Sequence, residues 1–500
     1  MPSLLPSDAQ SRLCSVLCLA LVAVTFPIAV TLTVGVYLFA SYRETLTGTA
    51  KPLLDSNGKV VTVLVNGGRM NKSLTVARAM SKAGARVILV EEKGWGDFCA
   101  TRFSSSVSKF RLLPKTSSPA GKEAYVQALA QIAREEGCTL FVPCSGAHTT
   151  VEDAKAAEIM KANIKGFRAI IQSPQLAKVL HEKDLFMDLV NSLGDLLAPT
   201  SHTVHSVSDA LEVIKVSSQP LILKFSDAGD DTGRSDLTTY PLEGDDEHLT
   251  RTRSRLEGLR IPIGKETPYA LQQFVGCGTE WCTHASVVDG KLVAFACCPS
   301  SDMLMTYYDA TYSEVGRKAE QYTQSLISKL NDSPEYASQK PVSGPFSLDF
   351  ILASNQKDLY VIECNPRIHT AALLLPPVAF ARALLGQLED GEIVRPLSNT
   401  APRSWAAHDI PSRILPILLP QSVRSKLHPL LTISPFSKAL QGKTEPQDQC
   451  WFWRDPNFDI DDPMPFVGMM LQVSALLVWK LTTGTGWSRL NVSTARVFEC

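Results

Sequence analysis

The segment Ser347–Thr370 constrains this chain more than any other stretch of its 500 residues. Its sequence, SLDFILASNQKDLYVIECNPRIHT, spells two strands joined by a polar turn. Leu348, Phe350 and Leu352 alternate with Asp349 and Ile351 up to a break at Ser354–Asp358, and Leu359–Ile362 forms the second apolar run. Side chains i and i+2 of a strand share a face, so Glu363 and Asn365 project together, and a hairpin can set Asp349 opposite them. Two carboxylates and an amide oxygen are hard ligands suited to Mg2+ or Mn2+, and magnesium usually serves a nucleotide phosphate. Arg367, after Pro366, adds a guanidinium able to clamp a planar anion. A bare Glu-x-Asn also fits a hairpin with acidic residues on a wet face. The spaced Asp349 and the Pro-Arg that follows favour the metal site.

Composition excludes several classes. The formal net charge of −1 offers nothing to nucleic acid. The 12 cysteines are scattered without a Cys-x-x-Cys pair, which argues against structural zinc. A chain of this length that uses ATP fits reduced thiols in a cytosolic compartment better than a disulfide framework.

The N-terminus does not suit a soluble enzyme. Leu13–Ala40 holds no charged residue, and about 20 apolar residues span a bilayer as helix. Pro27 lies mid-run, which membrane helices tolerate. The run exceeds a signal-peptide core and carries no polar stripe, so we expect a single-pass anchor over residues 1–43 and a linker over 44–59. Arg43, Lys51 and Lys59 outnumber Arg12, which places the large domain in the cytosol. The need for ATP places it there more strongly.

After the linker, a β-branched run at Val60–Val65 leads through Asn66-Gly67-Gly68-Arg69 into a helix over Lys72–Ala83 and a strand over Ala85–Glu91, a βαβ unit. The G-x-G-x-x-G fingerprint is missing, so a dinucleotide site is not expected. Gly67-Gly68 could let backbone N–H groups approach an anion at the helix N-terminus, with a tight strand-to-helix turn as the plainer reading. Further strands at Phe110–Pro114 and Thr139–Pro143 flank a helix over Lys122–Gly137, giving a small doubly wound domain at 60–150.

Downstream, Pro220–Phe225 reads as a strand bearing Lys224, followed by the loop DAGDDTGR at Asp227–Arg234. Tyr269–Val275 is another strand, and Glu280–Val288 pairs with Lys291–Cys297 around the turn dipeptide Asp289-Gly290. His284 on that hairpin is read as structural. Residues 396–500 are rich in Pro and Trp, and Phe466–Trp479 is apolar but short and broken by Gln472, so a buried or membrane-surface helix is expected there rather than a second span.

With its ECNPRIHT ending, the 347–370 hairpin resembles the metal-binding hairpin of the ATP-grasp superfamily. It looks most like the carbamoyl-phosphate-synthetase-like members, and among these like the mycosporine-glycine synthetase family. Val63–Ser105 and the DDPMP-F segment at Asp461–Phe466 resemble that family too. The resemblance implies a mixed α/β and α+β fold with a pre-ATP-grasp domain at 60–150, a two-lobed ATP-grasp domain at 151–390 and a C-terminal extension at 391–500. It implies Asp349, Glu363 and Asn365 as metal ligands. Lys183 and Lys224 would reach nucleotide phosphate, with a solvated helix face and a strand-rim charge as their plainer readings. Gln273, Phe274 and Val275 would frame adenine, and Glu280 would open the next strand. Asp227, Asp230 and Asp231 depart from the family's phosphate-covering loop, because they would repel phosphate. The implied activity is ATP-dependent C–N bond formation in which an acidic oxygen is phosphorylated and an amine displaces phosphate, aided by Lys224 and Arg367. The family's own substrates are glycine and the enol 4-deoxygadusol. Another carboxylate–amine or carbamoyl-phosphate-like ligase, or a non-catalytic membrane-anchored nucleotide-binding protein, remain as alternatives. The oligomeric state is not legible.

Overall fold

The computed structural model describes residues 7–47, 51–94, 96, 99–225, 238–276, 278–300, 306–339, 341–405, 415, 418–428, 454–483, 488–490 and 497–499. The acidic loop at Asp227–Arg234, Trp451, Trp453 and Trp487 lie outside the described residues.

The charge-free run forms one helix, α1 (Ser7–Thr47), which continues through Pro27. It is long and apolar enough to cross a membrane. So is the Met464–Thr483 helix, which at 20 residues exceeds the apolar run seen in the sequence. Gln472 does not break it, because its side chain is turned inward and is 8% exposed. The helix is longer than the 14 residues expected, and about half of it is buried inside the protein.

The first α/β unit holds five parallel strands in the order β3-β2-β1-β4-β5. They are β1 (Thr62–Val65), β2 (Arg86–Glu92), β3 (Lys109–Leu113), β4 (Leu140–Val142) and β5 (Arg168–Ala169). Helices α2 (Asn71–Lys82), α3 (Pro119–Glu135) and α4 (Thr150–Asn163) connect them. Fully buried Val63, Leu64, Val65, Val87, Ile88 and Leu89 show why these runs lack alternation: both faces of the sheet are covered. The sheet passes the boundary expected at residue 150, since β5 pairs with β4. Gly67 takes φ 70°, and a Cβ there would lie 2.5 Å from the Cys144 carbonyl oxygen. The glycine therefore serves a tight turn with close backbone approach. Ser118 caps α3 by accepting from the Gly121 N–H.

Helices α5 (Pro174–His181) and α6 (Lys183–Ser192) lead into two antiparallel sheets. The smaller lobe holds β6 (Ser201–Val204), β7 (Leu221–Phe225), β8 (Thr239–Tyr240) and β9 (Tyr269–Gln273) in the order β6-β9-β7-β8. Helices α7 (Val207–Val216) and α8 (Thr250–Glu257) complete its core, where Leu211 and Ile214 meet Leu271 and Leu221. The larger lobe orders its strands β11-β10-β14-β15: β10 (Thr279–Val288), β11 (Lys291–Pro299), β14 (Ser347–Leu352) and β15 (Leu359–Asn365). The short strand β13 (Gly344–Pro345) pairs with β10 at its margin, and β12 (Thr306–Tyr307) pairs separately with Arg403–Ser404. Helix α9 (Glu314–Asp332) backs the sheet, packing Leu326, Ile327 and Leu330 into a core with Phe295, Phe350 and Val361. The two-lobed layout expected from the sequence is thus present. The α/β unit is joined to the larger lobe through one core, where Val76 and Met80 of α2 meet Ala296, Ile368 and Phe380, the last on α10 (Pro377–Leu384).

Candidate active site

The expected hairpin forms. β14 and β15 pair antiparallel, and Asp349 stands directly across from Glu363. Alternation along β14 keeps Leu348, Phe350 and Leu352 in the core with Asp349 on the other face, and a register shift with Ile362 as the extra residue of β15 keeps Val361 opposite Phe350 in the core while Glu363 faces Asp349. Asn365 Nδ2 donates to Asp349 Oδ2 and to Glu363 Oε1, each at 3.2 Å, so all three expected ligands meet.

One detail differs from expectation. The amide nitrogen, not the oxygen, faces the carboxylates, while Asn365 Oδ1 accepts from Arg367 Nη2. With two carboxylates converging, the NH2 group is the end of the amide that offsets their charge. A cation there requires the amide to turn over and release Arg367.

Asp349 Oδ1 is buried and lacks a hydrogen-bond partner. An orphaned carboxylate oxygen inside protein is costly unless a cation or proton meets it. Burial, and then the Glu363 carboxylate, push the Asp349 carboxyl well above its usual range, while the Arg367 guanidinium opposes them. This donor set fits a hard divalent cation: two acidic side chains, one of them with an unsatisfied oxygen, and one amide.

Lys183, from the first turn of α6, places its ammonium 3.5 Å from Glu363 Oε2. The expected phosphate contact instead faces the metal hairpin, the nearest negative charge available. Lys224 lies on β7 and donates to Gln272 Oε1 at 2.7 Å across the smaller lobe. Its neighbour on the chain, the loop over residues 226–237, is outside the described residues.

The linker between the lobes is partly committed. The Gln273 N–H donates to the Thr200 carbonyl and the Phe274 N–H to the Pro220 carbonyl, both at 2.8 Å. Gln273 Oε1 accepts from the Thr200 N–H at 3.4 Å. The Gln273 amide oxygen and these two N–H groups are therefore spent inside the lobe, leaving Val275 as the half-buried linker residue of the expected three with its N–H outside these bonds. Glu280 is exposed, with its carbonyl accepting from Ser300 N–H.

Three residues join the site that the sequence did not assign. Cys282 of β10 is buried and pairs in register with Asp349. Lys72, on the first turn of α2, is 2% exposed, and burial together with the nearby Arg367 guanidinium drives its ammonium well below the usual lysine range. His284 Nε2 shares a hydrogen bond with Ser286 Oγ at 3.0 Å, and its Nδ1 accepts from His369 N–H at 3.4 Å. Burial holds both imidazoles down to about 3, with Lys72 adding to the effect. The structural reading of His284 agrees with this neutral, bonded state. Composition carries no signal for Lys72, because its approach to Arg367 depends on docking two units 295 residues apart in sequence.

No family model and no curated protein matches this sequence. The chain is similar to solved structures. N5-carboxyaminoimidazole synthetase from Staphylococcus aureus shares 13% identity at a TM-score of 0.48, over 71% of this chain and 83% of that one. Its complex with ADP gives 14% identity and a TM-score of 0.47, over 71% and 82%. The L-amino acid ligase from Bacillus licheniformis shares 18% identity at a TM-score of 0.45, over 67% of this chain and 78% of that one.

Proposed function

We propose that this protein is an ATP- and magnesium-dependent ligase of the ATP-grasp superfamily. The observation that carries the reading is the convergence of Asp349, Glu363 and Asn365 at one end of the β14–β15 hairpin, with an orphaned carboxylate oxygen in the larger lobe of a two-lobed fold. The motif resemblance at Glu363–Thr370 agrees with it.

In this reading Asp349, Glu363 and Asn365 hold the cation. A divalent ion there would supply charge compensation for bound nucleotide phosphate. Arg367, released from Asn365, points a planar guanidinium at the transferred phosphoryl group or the acceptor oxygen. Lys183 exchanges its contact with Glu363 for phosphate. Lys224 sits on the smaller lobe and binds phosphate as that lobe closes. Val275 lies at the linker where a base would pair. Catalysis then rests on positioning and charge, and no Ser or Cys nucleophile is needed.

The reaction phosphorylates an acidic oxygen, and an amine then attacks the carbon that bears it, so that the C–O bond breaks and the oxygen departs with the phosphate. Phosphate leaves as the C–N bond forms, and the amine gives up its proton. Glycine and 4-deoxygadusol are the substrates favoured by the resemblance to the mycosporine-glycine synthetases. Other carboxylate–amine pairs fit the same site chemistry.

The test is a purified chain assayed for ADP release with ATP, Mg2+, 4-deoxygadusol and a panel of amino acids, beside Glu363→Gln. Turnover that needs both an acid and an amine, and that vanishes in a folded Glu363→Gln protein, supports the ligase. ATP turnover indifferent to Glu363→Gln removes the metal site. Nucleotide binding without turnover under any substrate pair favours a binding protein.

A further inference from the structure

α1 does not stand alone. Cys18 and Val22 on its inner face share a core with Met469, Met470, Val473 and Leu477 of the Met464–Thr483 helix. Arg43, in the last turns of α1, pairs with Asp461, just ahead of the second helix. The end of one helix thus meets the start of the other, and the two run antiparallel.

The junction is fixed to the α/β unit. Asp462 accepts from Arg78 Nε at 2.7 Å, from Ser104 Oγ at 2.6 Å and from Ser105 N–H at 2.8 Å. Gly468 lies where a Cβ would come within 2.6 Å of Phe103, so the second helix begins hard against the domain. The whole helix of 20 residues is about 30 Å long at 1.5 Å per residue, and the part from Gly468 to Thr483 extends about 24 Å beyond the domain, against about 30 Å of bilayer hydrocarbon.

The outward faces are apolar and uncovered. Val24 is 69% exposed, Ile28 60% and Leu38 62% on α1, and Leu471 and Val478 are about half exposed on its partner. Among residues 13–40 there is no charge, and the second helix carries only Lys480, near its far end. An aqueous surface of this kind is a liability, and hydrocarbon is the occupant it fits.

We propose that α1 and the Met464–Thr483 helix form an antiparallel hairpin that crosses a lipid bilayer twice. The α/β unit and both lobes lie on one face. The N-terminal end of α1 and the C-terminal end of the Met464–Thr483 helix emerge on the other. This replaces the single-pass expectation and does not rest on the ligase reading.

Epitope tags fused before residue 1 and after residue 500 of the full chain test it, in sealed vesicles treated with protease outside and then opened with detergent. With the lobes facing the protease, both tags stay protected while the lobes are digested, and both become sensitive with detergent. Digestion of the C-terminal tag together with the lobes, with the N-terminal tag protected, means a single pass and overturns the proposal. Release of the chain from the vesicles by alkaline carbonate overturns it as well. Val478→Arg, on the uncovered face, provides the second reading. It should lower the fraction of chains with a protected C-terminal tag several-fold while sparing N-terminal protection, and an unchanged fraction argues that this face does not meet hydrocarbon.

Discussion

The Lys183 ammonium lies 3.5 Å from the Glu363 carboxylate, so a cation carried on another helix already faces the pair that a metal would bridge. Both side chains are largely buried, and the pair sits beside the Asp349 oxygen that nothing else satisfies. A divalent ion must compete with this ammonium for Glu363. Lys183→Met should therefore tighten Mn2+ binding in the absence of nucleotide, while raising the KM for ATP about tenfold, as loss of one charge-assisted contact worth about 1.5 kcal/mol would do. Calorimetric titration with Mn2+ alone and steady-state kinetics read the two effects separately. If neither moves, Lys183 is only a surface partner of Glu363.

Lys224 offers a cleaner discrimination between nucleotide and acceptor. Its ammonium donates to Gln272 within the smaller lobe. Lys224→Met should raise the KM for ATP ten- to a hundredfold, about 1.5–3 kcal/mol, with a smaller effect on the amine. Impaired acceptor use with unchanged ATP binding would move Lys224 into the substrate pocket.

Arg78 ties the distant segment before the second apolar helix to the α/β unit. It donates to the carbonyls of Pro456, Asn457 and Asp462 and to the Asp462 carboxylate, and it is 8% exposed. Arg78→Met strands the Asp462 charge in the interior and should destabilise the protein by about 3–5 kcal/mol. Arg78→Met combined with Asp462→Asn should recover part of that loss, because the orphaned charge is gone. Chemical denaturation of the two variants checks this. Additive losses would mean that the two residues act independently.

Local chemistry made the hairpin legible and left the docking hidden. Period-2 alternation at Leu348–Leu352 and the i, i+2 relation of Glu363 and Asn365 both act within one strand pair, and both survive in the structure. The amide orientation of Asn365 was not legible, because it depends on Arg367 and on two converging charges at once. Lys72 entered the site for a similar reason: α2 packs on α10 through a core that spans two units. Gln472 misled as a break in an apolar run because its side chain turns inward, which a linear reading cannot see.

The buried imidazoles make acid a specific threat. His284 is fully buried and held down to about 3 by desolvation, with Lys72 nearby, so the fold requires its neutral form. The unfolded chain takes up a proton near its ordinary value of about 6.5. Between these values the unfolded state binds more protons, so stability rises with pH across that window. The contribution is complete above about pH 6.5 and is lost progressively as pH falls toward 3, amounting to about 2 kcal/mol by pH 5. His284→Gln keeps a polar partner for Ser286 and cannot titrate. Its denaturation midpoint should therefore fall less steeply than that of the parent between pH 6.5 and 5. Parallel pH profiles would show that the imidazole is already accessible to protons in the folded state.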